Sequence, residues 1–452
     1  MTGSDSIFAM PGSQNTFYKS PEENGKVPAK GKGIFYGWWL VGVGVFLLTL
    51  MSLCVFRGMG VMMVVLQKEF AWTRTQISLG TLFSRVEGAA LGPVEGFLID
   101  KIGARRMVLV GFSIMSIGFV LFSFIQNIWQ FYGVFIIITL GSGIGGWLAV
   151  MSVLNSWFNR KRSIAMAGAM SGINIAGFFL PVYAIAMDAS FRMTALVLGI
   201  ILIAVAIPCV RVIRNRPEDM GLFPDGLSGE ALEKNSKDET VHLKQTVENL
   251  ETEEANFTVR QALSTPVFWI LTVAHISSTI SIATLSLHLT PRLTDMGLSL
   301  TTASTIEMTY SMVALPSLFI SGWLGDRMTK RYLITFFLVL QGIAILILAF
   351  ANALPSAILF AVVYGIAFGG RIPLMTSIRG EYFGRKAFAT IMGWSMLPNG
   401  VLMAIAPVWA GWMFDNHHSY TVPFVTYALI NLVGAFIMLM AKKPKISMPV
   451  SN

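Results

Sequence analysis

The sequence predicts an all-α membrane protein with twelve transmembrane helices, arranged as two six-helix halves related by a pseudo-two-fold axis. Three observations predict this fold class. Of the 452 residues, 54% are hydrophobic and only 13% are charged, whereas an average soluble chain has roughly 25% charged residues. The apolar residues form runs of about 20, the length that a membrane-spanning helix needs. Two motifs each recur at nearly the same distance along the chain, which indicates an internal duplication.

The duplication is visible at the ends of apolar runs. One motif reads GFLIDKIGARR at 96–106 and GWLGDRMTKR at 322–331, so its two copies begin 226 positions apart. A second motif reads WFNRK at 157–161 and YFGRK at 382–386, with an offset of 225. Because both offsets are half the chain length, we predict two equivalent halves.

The predicted spans follow from the apolar runs. In the first half they are 37–65, 76–98, 107–125, 130–154, 164–187 and 194–213. In the second half they are 266–290, 302–324, 332–352, 355–378, 387–412 and 421–441. The predicted domains are an N-terminal tail 1–35, a first half 36–213, a linker 214–262 rich in Glu, Lys, Ser and Asp, a second half 263–441 and a C-terminal tail 442–452.

The basic residues predict how the chain is oriented. They collect at one set of helix ends, as in Lys101, Arg160 and Lys442, and are sparse at the other. Lys and Arg mark the cytoplasmic side of a membrane protein, so we expect a multi-pass protein of the cell (inner) membrane with both termini and the linker in the cytoplasm. The same spread along helix ends argues against nucleic-acid binding, despite the net charge of +9.

Ionisable residues inside the spans are the main functional signal. Each costs about 2.5–3.5 kcal/mol at mid-bilayer unless it faces a cavity or a partner. Arginines outnumber glutamates there, which favours an anionic substrate, because a guanidinium holds a carboxylate bidentately. A structural bond between helices is the alternative for each residue. The ionisable residues in question are Arg57, Arg85, Glu87, His275, Glu307 and Arg371.

We expect Arg57, Arg371 and Arg85 to bind substrate. For Arg371 the alternative is a loop anchor, because residues 369–373 (GGRIP) resemble a broken helix. Glu307 and Glu87 are better candidates for carrying a proton, since arginine does not release its proton. His275 is a third candidate proton carrier, and its alternative role is packing in the core. Three further polar residues either line the path or form interhelical hydrogen bonds worth about 0.6 kcal/mol each. They are Asn174, Tyr364 and Asn399.

The duplicated motif is expected to form a cytoplasmic gate between the halves, although such a cluster is also typical of residues that only set topology. Its residues are Gly96, Asp100, Gly103, Arg105, Arg106, Gly322, Asp326, Arg327 and Arg331. The GxGxxG at 141–146 lies in an apolar run, which favours close helix packing over dinucleotide binding. We expect Asp415, His417 and His418 in a solvated outer loop rather than in a metal site.

Residues 96–106 resemble the loop motif between spans 2 and 3 of the major facilitator superfamily, and residues 322–331 resemble its second-half copy. Residues 157–165 (WFNRKRSIA), continued by Ala169, Ser171 and Gly172, resemble the span-5 motif of the monocarboxylate transporter family, and 36–39 (YGWW) partly resembles that family's entry to span 1. The resemblance implies the major facilitator fold, alternating access, a monomer, and a proton-linked or exchange carrier of the monocarboxylate or oxalate–formate type.

The chain departs from that family in two places. The segment 314–320 (ALPSLFI) in span 8 lacks the arginine that such carriers commonly place there, and span 11 has no basic residue between Ala387 and Trp412. The role of holding an anion then falls to Arg57, Arg85 or Arg371, unless the substrate is not a simple carboxylate.

We therefore predict a secondary active transporter that moves a small organic anion, with a monocarboxylate as first choice and a proton or counter-substrate as coupled partner. A multidrug-type exporter of neutral or cationic compounds is one alternative, favoured by the missing span-8 arginine. A membrane sensor that does not transport is another, but the 214–262 linker has no obvious partner-binding element. We expect no enzyme, metal or cofactor, because no nucleophile–base pair, metal cluster or nucleotide loop lies in a suitable context.

Overall fold

The computed structural model describes residues 35–82, 95, 98–99, 101–158, 162–220, 222, 225, 257–325, 327–383 and 388–444. We number its membrane helices α1 to α12 in chain order. The helices of the first half are α1 (Tyr36–Met51, a π-helical Ser52–Arg57, and Met59–Phe70), α2 (described over 74–82), α3 (Ala104–Phe122), α4 (Ile128–Gly145 and Trp147–Trp157), α5 (Arg162–Ile175, Ala176–Phe179 and Leu180–Ala189) and α6 (Phe191–Val212).

The second half begins with a short helix, Val259–Ser264, that packs against α7. The longer helices that follow are α7 (Pro266–Asp295), α8 (Leu300–Gly325), α9 (Lys330–Ala349), α10 (Leu354–Phe383), α11 (Phe388–His417) and α12 (Thr421–Met438). No strand occurs in the residues that the structure describes, so the all-α prediction is confirmed.

Ten helices within the described ranges are long and apolar enough to cross a membrane. α8 also has sufficient length, at 26 residues. Large apolar side chains such as Val182, Ile200 and Phe436 are exposed on the surfaces of the helices. Such a surface is favourable in lipid and unfavourable in water, as expected for a membrane bundle.

Close packing of α3 against α4 depends on glycine. A Cβ atom at Gly141 would lie 2.5 Å from the backbone nitrogen of Met115 and 2.6 Å from the carbonyl oxygen of Gly111. Only a residue without a side chain allows the two backbones to approach this closely. The interpretation of residues 141–146 as a packing motif is therefore confirmed.

The hydrophobic side chains form three buried clusters. One is built almost entirely from residues 40–213, with Leu287 and Leu300 added, and the other two lie within residues 257–441. The two regions of the chain meet where α1 packs against α7 and where α5 packs against α8. α1 continues to Phe70 and α7 to Asp295, beyond their predicted ends, so both helices extend to the same end of the bundle.

Candidate functional site

Arg57 lies at the end of the π-helical turn in the middle of α1, and only 7% of its surface is exposed. Its Nη2 donates a hydrogen bond to Oδ1 of Asn174 on α5, over 3.1 Å. Its guanidinium carbon lies 4.7 Å from the ring centroid of Tyr310 on α8 and 5.7 Å from that of Phe368 on α10. Arg57 thus joins four helices, two from each half of the chain.

Arg371 is 4% exposed and lies within α10, which is a continuous helix from Leu354 to Phe383. The alternative considered for Arg371, a loop anchor in a helix broken at 369–373, is therefore wrong. In a membrane, a break would leave backbone groups without hydrogen bonds, so the helix accommodates Pro373 instead of ending there. The Nε of Arg371 is buried and has no hydrogen-bond partner among the described residues.

Tyr364 belongs to a row of aromatic rings that packs beneath these arginines. It stacks on Phe360 and Phe368, with centroid distances of 5.2 Å and 6.0 Å, and meets Tyr310 edge to face at 5.4 Å. The ring faces of this cluster attract the Arg57 guanidinium by a cation–π interaction. The cluster therefore holds Arg57 without neutralising its charge.

Glu307 is 4% exposed on α8 and accepts a hydrogen bond from the hydroxyl of Thr290 on α7. It lies close enough to Arg57 to interact electrostatically with it. The structure thus places one candidate proton carrier beside one candidate anion-binding residue.

His275 and Asn399 have different surroundings from one another. The Nδ1 of His275 has no hydrogen-bond partner in the described part of the chain, and the residue interacts electrostatically with Arg371 and Arg379. Protonation of His275 would place a third positive charge beside these two guanidinium groups. Asn399 on α11 accepts a hydrogen bond from the hydroxyl of Thr279 on α7, which is the interhelical bond considered as its alternative role.

A cavity of about 780 Å³ lies between α5, α8 and α10. Asn174 and Phe368, both in contact with Arg57, line it. A second cavity of about 610 Å³ shares Ala167, Ser171, Pro373 and Ser377 with the first and extends to Gly322, Gly325 and Lys330. Together they form one cleft, which runs from the Arg57 site to the bundle end that carries residues 322–331.

The opposite end of the bundle is closed by bonds between the halves. Arg74, at the start of α2, donates from Nη1 and Nη2 to the two carboxylate oxygens of Asp295 on α7, each over 2.7 Å. The side chain of Asp415 on α11 accepts from the backbone nitrogens of Arg74 and Thr75, over 3.0 Å and 2.8 Å. Arg74 also lies 3.6 Å above the ring of Phe414.

The expectation of a solvated loop is therefore wrong for Asp415, although His417 and His418 are exposed. Asp415 lies within α11 and caps the first turn of α2, because a carboxylate satisfies backbone N–H groups that a helix start leaves unpaired.

The family model of the Major Facilitator Superfamily matches residues 45–306 and 271–451. The chain belongs to the major facilitator superfamily. It is 23% identical to monocarboxylate transporter 12 of Mus musculus over 440 residues, which covers 91% of this chain and 88% of the relative. It is also 23% identical to monocarboxylate transporter 13 of Rattus norvegicus over 410 residues, which covers 89% of each.

The fold is similar to the crystal structure of a bacterial homologue of the human lysosomal transporter Spinster, in an inward-facing and unoccupied conformation. The TM-score is 0.72 at 14% identity, and the match covers 90% of this chain and 97% of the other. The predicted resemblance is confirmed. This major facilitator is a multi-pass membrane transporter and not an enzyme.

Several residues of the duplicated motif of this major facilitator are described. Gly103 has a φ of +88°, a backbone conformation that favours glycine. Just after this turn, the backbone nitrogen of Arg105 donates a hydrogen bond to Oδ1 of Asn215, over 2.9 Å. Arg106 is exposed, and Gly322 lines the cleft.

In the second copy of the motif, the arginines contact neighbouring aromatic rings. Arg327 lies 3.8 Å above the ring of Trp323, and Arg331 donates to the Tyr332 hydroxyl over 2.7 Å. The remaining predicted site and gate residues lie outside the described ranges, and their roles stay predictions. They are Arg85, Glu87, Gly96, Asp100 and Asp326.

Sequence reasoning missed several residues of the two sites, among them Tyr310, Thr290 and Asp295. Tyr310 follows Glu307 by three positions, a spacing that places both on one face of α8 and was a usable signal. Thr290 and Asp295 gave no such signal. Their partners are Glu307, in a different helix, and Arg74, in the other half of the chain.

Proposed function

We propose that this major facilitator is a secondary active transporter of a small organic anion, with a monocarboxylate as the substrate class. The proposal rests on the observation that Arg57 and Arg371 are buried without a carboxylate partner in the part of the chain that the structure describes. Both are buried in mid-helix, and neither makes a salt bridge with a carboxylate of the described residues. Buried charges are normally paired, so two cations beside a cleft favour an anion as the missing partner.

Alternating access accounts for the difference between the two ends of the bundle. The cleft is open at the end that carries Gly322 and Lys330, and bonds between the halves close the end that carries Arg74 and Asp295. Lys101, Arg216 and Lys443 also lie at or just beyond helix ends on the Gly322 side, which favours the cytoplasm for the open end. We propose that transport requires the Arg74–Asp295 end to open while the cleft closes.

Glu307 is the proposed site of proton coupling. Its carboxylate is buried, is close to Arg57, and is held by the Thr290 hydroxyl. A substrate carboxylate at Arg57 would compete with Glu307 for the same guanidinium. Proton uptake by Glu307 would then leave Arg57 free to hold the anion, which couples the two binding events.

The test uses purified protein in liposomes loaded with a pH-sensitive dye, to which a panel of mono- and dicarboxylates is added. We expect saturable proton movement with a monocarboxylate, and loss of that movement in Arg57→Gln. The control is Arg192→Gln, which removes a guanidinium that donates to the Ser123 carbonyl oxygen outside the cleft. Normal uptake by Arg57→Gln would contradict the proposal. Uptake of cations that depends on Glu307 but not on Arg57 would instead support a multidrug-type exporter.

A further inference from the structure

The larger cavity of the cleft, of about 780 Å³, has mostly apolar walls. Of its described lining residues, four are polar and none is charged, and the rest are apolar or glycine. Two of the polar ones, Ser171 and Ser377, donate to carbonyl oxygens of their own helices, Gly168 at 2.6 Å and Leu374 at 3.3 Å. A substrate with several hydroxyl or carboxylate groups would therefore lose its hydration here without gaining partners.

The apolar side chains follow helical spacing on the α5 wall of the cleft. On α5, Met166 and Met170 precede Asn174 at intervals of four residues, so the three share one face of the helix. At 1.5 Å per residue, this stripe extends about 12 Å from the partner of Arg57. A two- or three-carbon acid held at Arg57 would contact only its innermost part.

The facing walls continue this surface. α8 contributes Leu315 and Leu318, and α10 contributes Phe368 and Ile372, again at helical intervals. The cavity of about 780 Å³ lies in the range of sites that enclose drug-sized ligands, roughly 300–1,000 Å³. Methionine adapts to ligand shape and makes favourable contacts with aromatic rings, so Met166 and Met170 suit an aromatic body.

We infer that the substrate is an amphipathic monocarboxylate with an apolar, aromatic body. Its carboxylate lies at Arg57 and Asn174, and its body lies along the Met166–Met170 stripe between α8 and α10. The inference rests on the proposed function, since it uses the same anion site, and it adds the chemical class of the rest of the substrate.

The experiment measures ligand-induced thermal stabilisation of the purified full-length protein. The probes are acetate, butyrate, lactate, phenylacetate and the neutral phenylacetamide. We expect half-saturation to fall about fourfold for each methylene that the wall buries, so that phenylacetate binds at least about tenfold more tightly than acetate. We expect lactate to gain nothing over acetate, and phenylacetamide to give no shift.

Variants separate the wall from the anion site. Met170→Gln should raise the half-saturation concentration of phenylacetate several-fold, and Met170→Leu should restore most of the affinity. Met193→Gln, the same change at a methionine on the outer surface of α6, should have no effect. Arg57→Gln should abolish the response to every carboxylate.

The outcomes distinguish failure of this inference from failure of the proposed function. Equal affinities for acetate and phenylacetate, both lost in Arg57→Gln, would overturn the amphipathic substrate and leave an anion carrier. Binding of phenylacetamide as tight as that of phenylacetate would overturn the anion site itself. No response to any probe, in protein with a cooperative melting transition, would overturn both.

Discussion

At the scale of single residues, the candidate site depends on how Arg57 keeps its charge. A neutral amide and two aromatic rings surround the guanidinium, and the nearest described acidic group that interacts with it, Glu307, forms no salt bridge with it. A buried arginine without a fixed counter-ion attracts an anion strongly, because little water screens it. Asn174 accepts a hydrogen bond from one nitrogen of the Arg57 guanidinium, so the other N–H groups of that guanidinium are left for a ligand.

Replacing Asn174 with Asp should weaken substrate binding and so reduce anion uptake. The new carboxylate would lie where Oδ1 now accepts from Arg57 over 3.1 Å, and would occupy the guanidinium as a permanent anion. Since hydrogen bonds to charged groups contribute about 1.5–3 kcal/mol, we expect substrate affinity to fall at least about tenfold. Uptake kinetics in proteoliposomes check this, with Asn174→Ser as the uncharged control. Unchanged affinity in the Asp variant would exclude Asn174 from the site.

Replacing Glu307 with Gln should separate coupling from binding. The amide keeps the size of the side chain and a bond to Thr290 but takes up no proton. We therefore expect uptake driven by a pH gradient to disappear while exchange of internal for external substrate persists. A counterflow assay beside a gradient-driven assay measures both. Gradient-driven uptake at the normal rate would assign the coupled proton to another residue.

At the scale of helices, two local features decide the geometry. The π-helical Ser52–Arg57 adds a residue to one turn of α1, and such turns often occur at functional sites. The segment contains no proline or glycine that would indicate an irregular turn, so the sequence did not predict the π-helical turn. The glycines of α4, in contrast, predicted close helix packing correctly, because such packing requires the absence of a side chain, and the structure shows that the partner is α3.

A Gly141→Ala change should destabilise the α3–α4 pair. The added methyl group would lie 2.5 Å from the Met115 nitrogen, so the helices must separate, at a cost of about 1–3 kcal/mol. Gly133→Ala is the matched control on the same helix, because a Cβ there meets no atom within 4 Å. Melting temperatures in detergent check the difference. Equal melting temperatures for both variants would contradict the packing account.

At the scale of the whole molecule, the two ends of the bundle differ: the cleft reaches the end that carries Gly322 and Lys330, and bonds between the halves close the other end. The closed end depends on contacts between residues more than 200 positions apart, such as Arg74 with Asp295. Ser78 and His288 also meet across this interface, at 3.2 Å. Because these bonds lie between the halves and not within them, they stabilise one conformation of the transporter rather than its fold.

An Asp295→Asn change should shift the bundle towards opening at this end. The change weakens the Arg74–Asp295 pair, in which Arg74 donates two charge-assisted hydrogen bonds. We therefore expect the fraction of molecules that are open at this end to rise roughly tenfold. Pulsed EPR between spin labels at Gln126 and Asn416 measures this, after replacement of the buried free cysteines Cys54 and Cys209. Lys68→Gln is the control, because its pair with Asp188 is exposed and lies within one half. An unchanged distance distribution would remove Asp295 from the gate.

The sequence by itself determined the fold class, and it identified Arg57, Glu307 and Arg371 as charged residues inside the membrane bundle, where the structure buries them. Apolar runs, repeated motifs and the cost of charge in lipid are properties of local sequence, and they are sufficient for those conclusions. Prediction of local breaks was less successful, as the continuous α10 at 369–373 illustrates, because the membrane forbids unpaired backbone groups even where glycine and proline would end a helix in water.

Only the tertiary structure decided which of these residues act together. Arg57 and Asn174 are 117 positions apart, and Arg74 and Asp295 are 221 apart, so no local pattern pairs them. The sequence showed Asp415 as one more polar residue near a helix end, and the packing of α11 against α2 made it the cap of another helix. Partners of this kind follow from how helices cross, and the crossing depends on the side chains of the whole bundle at once.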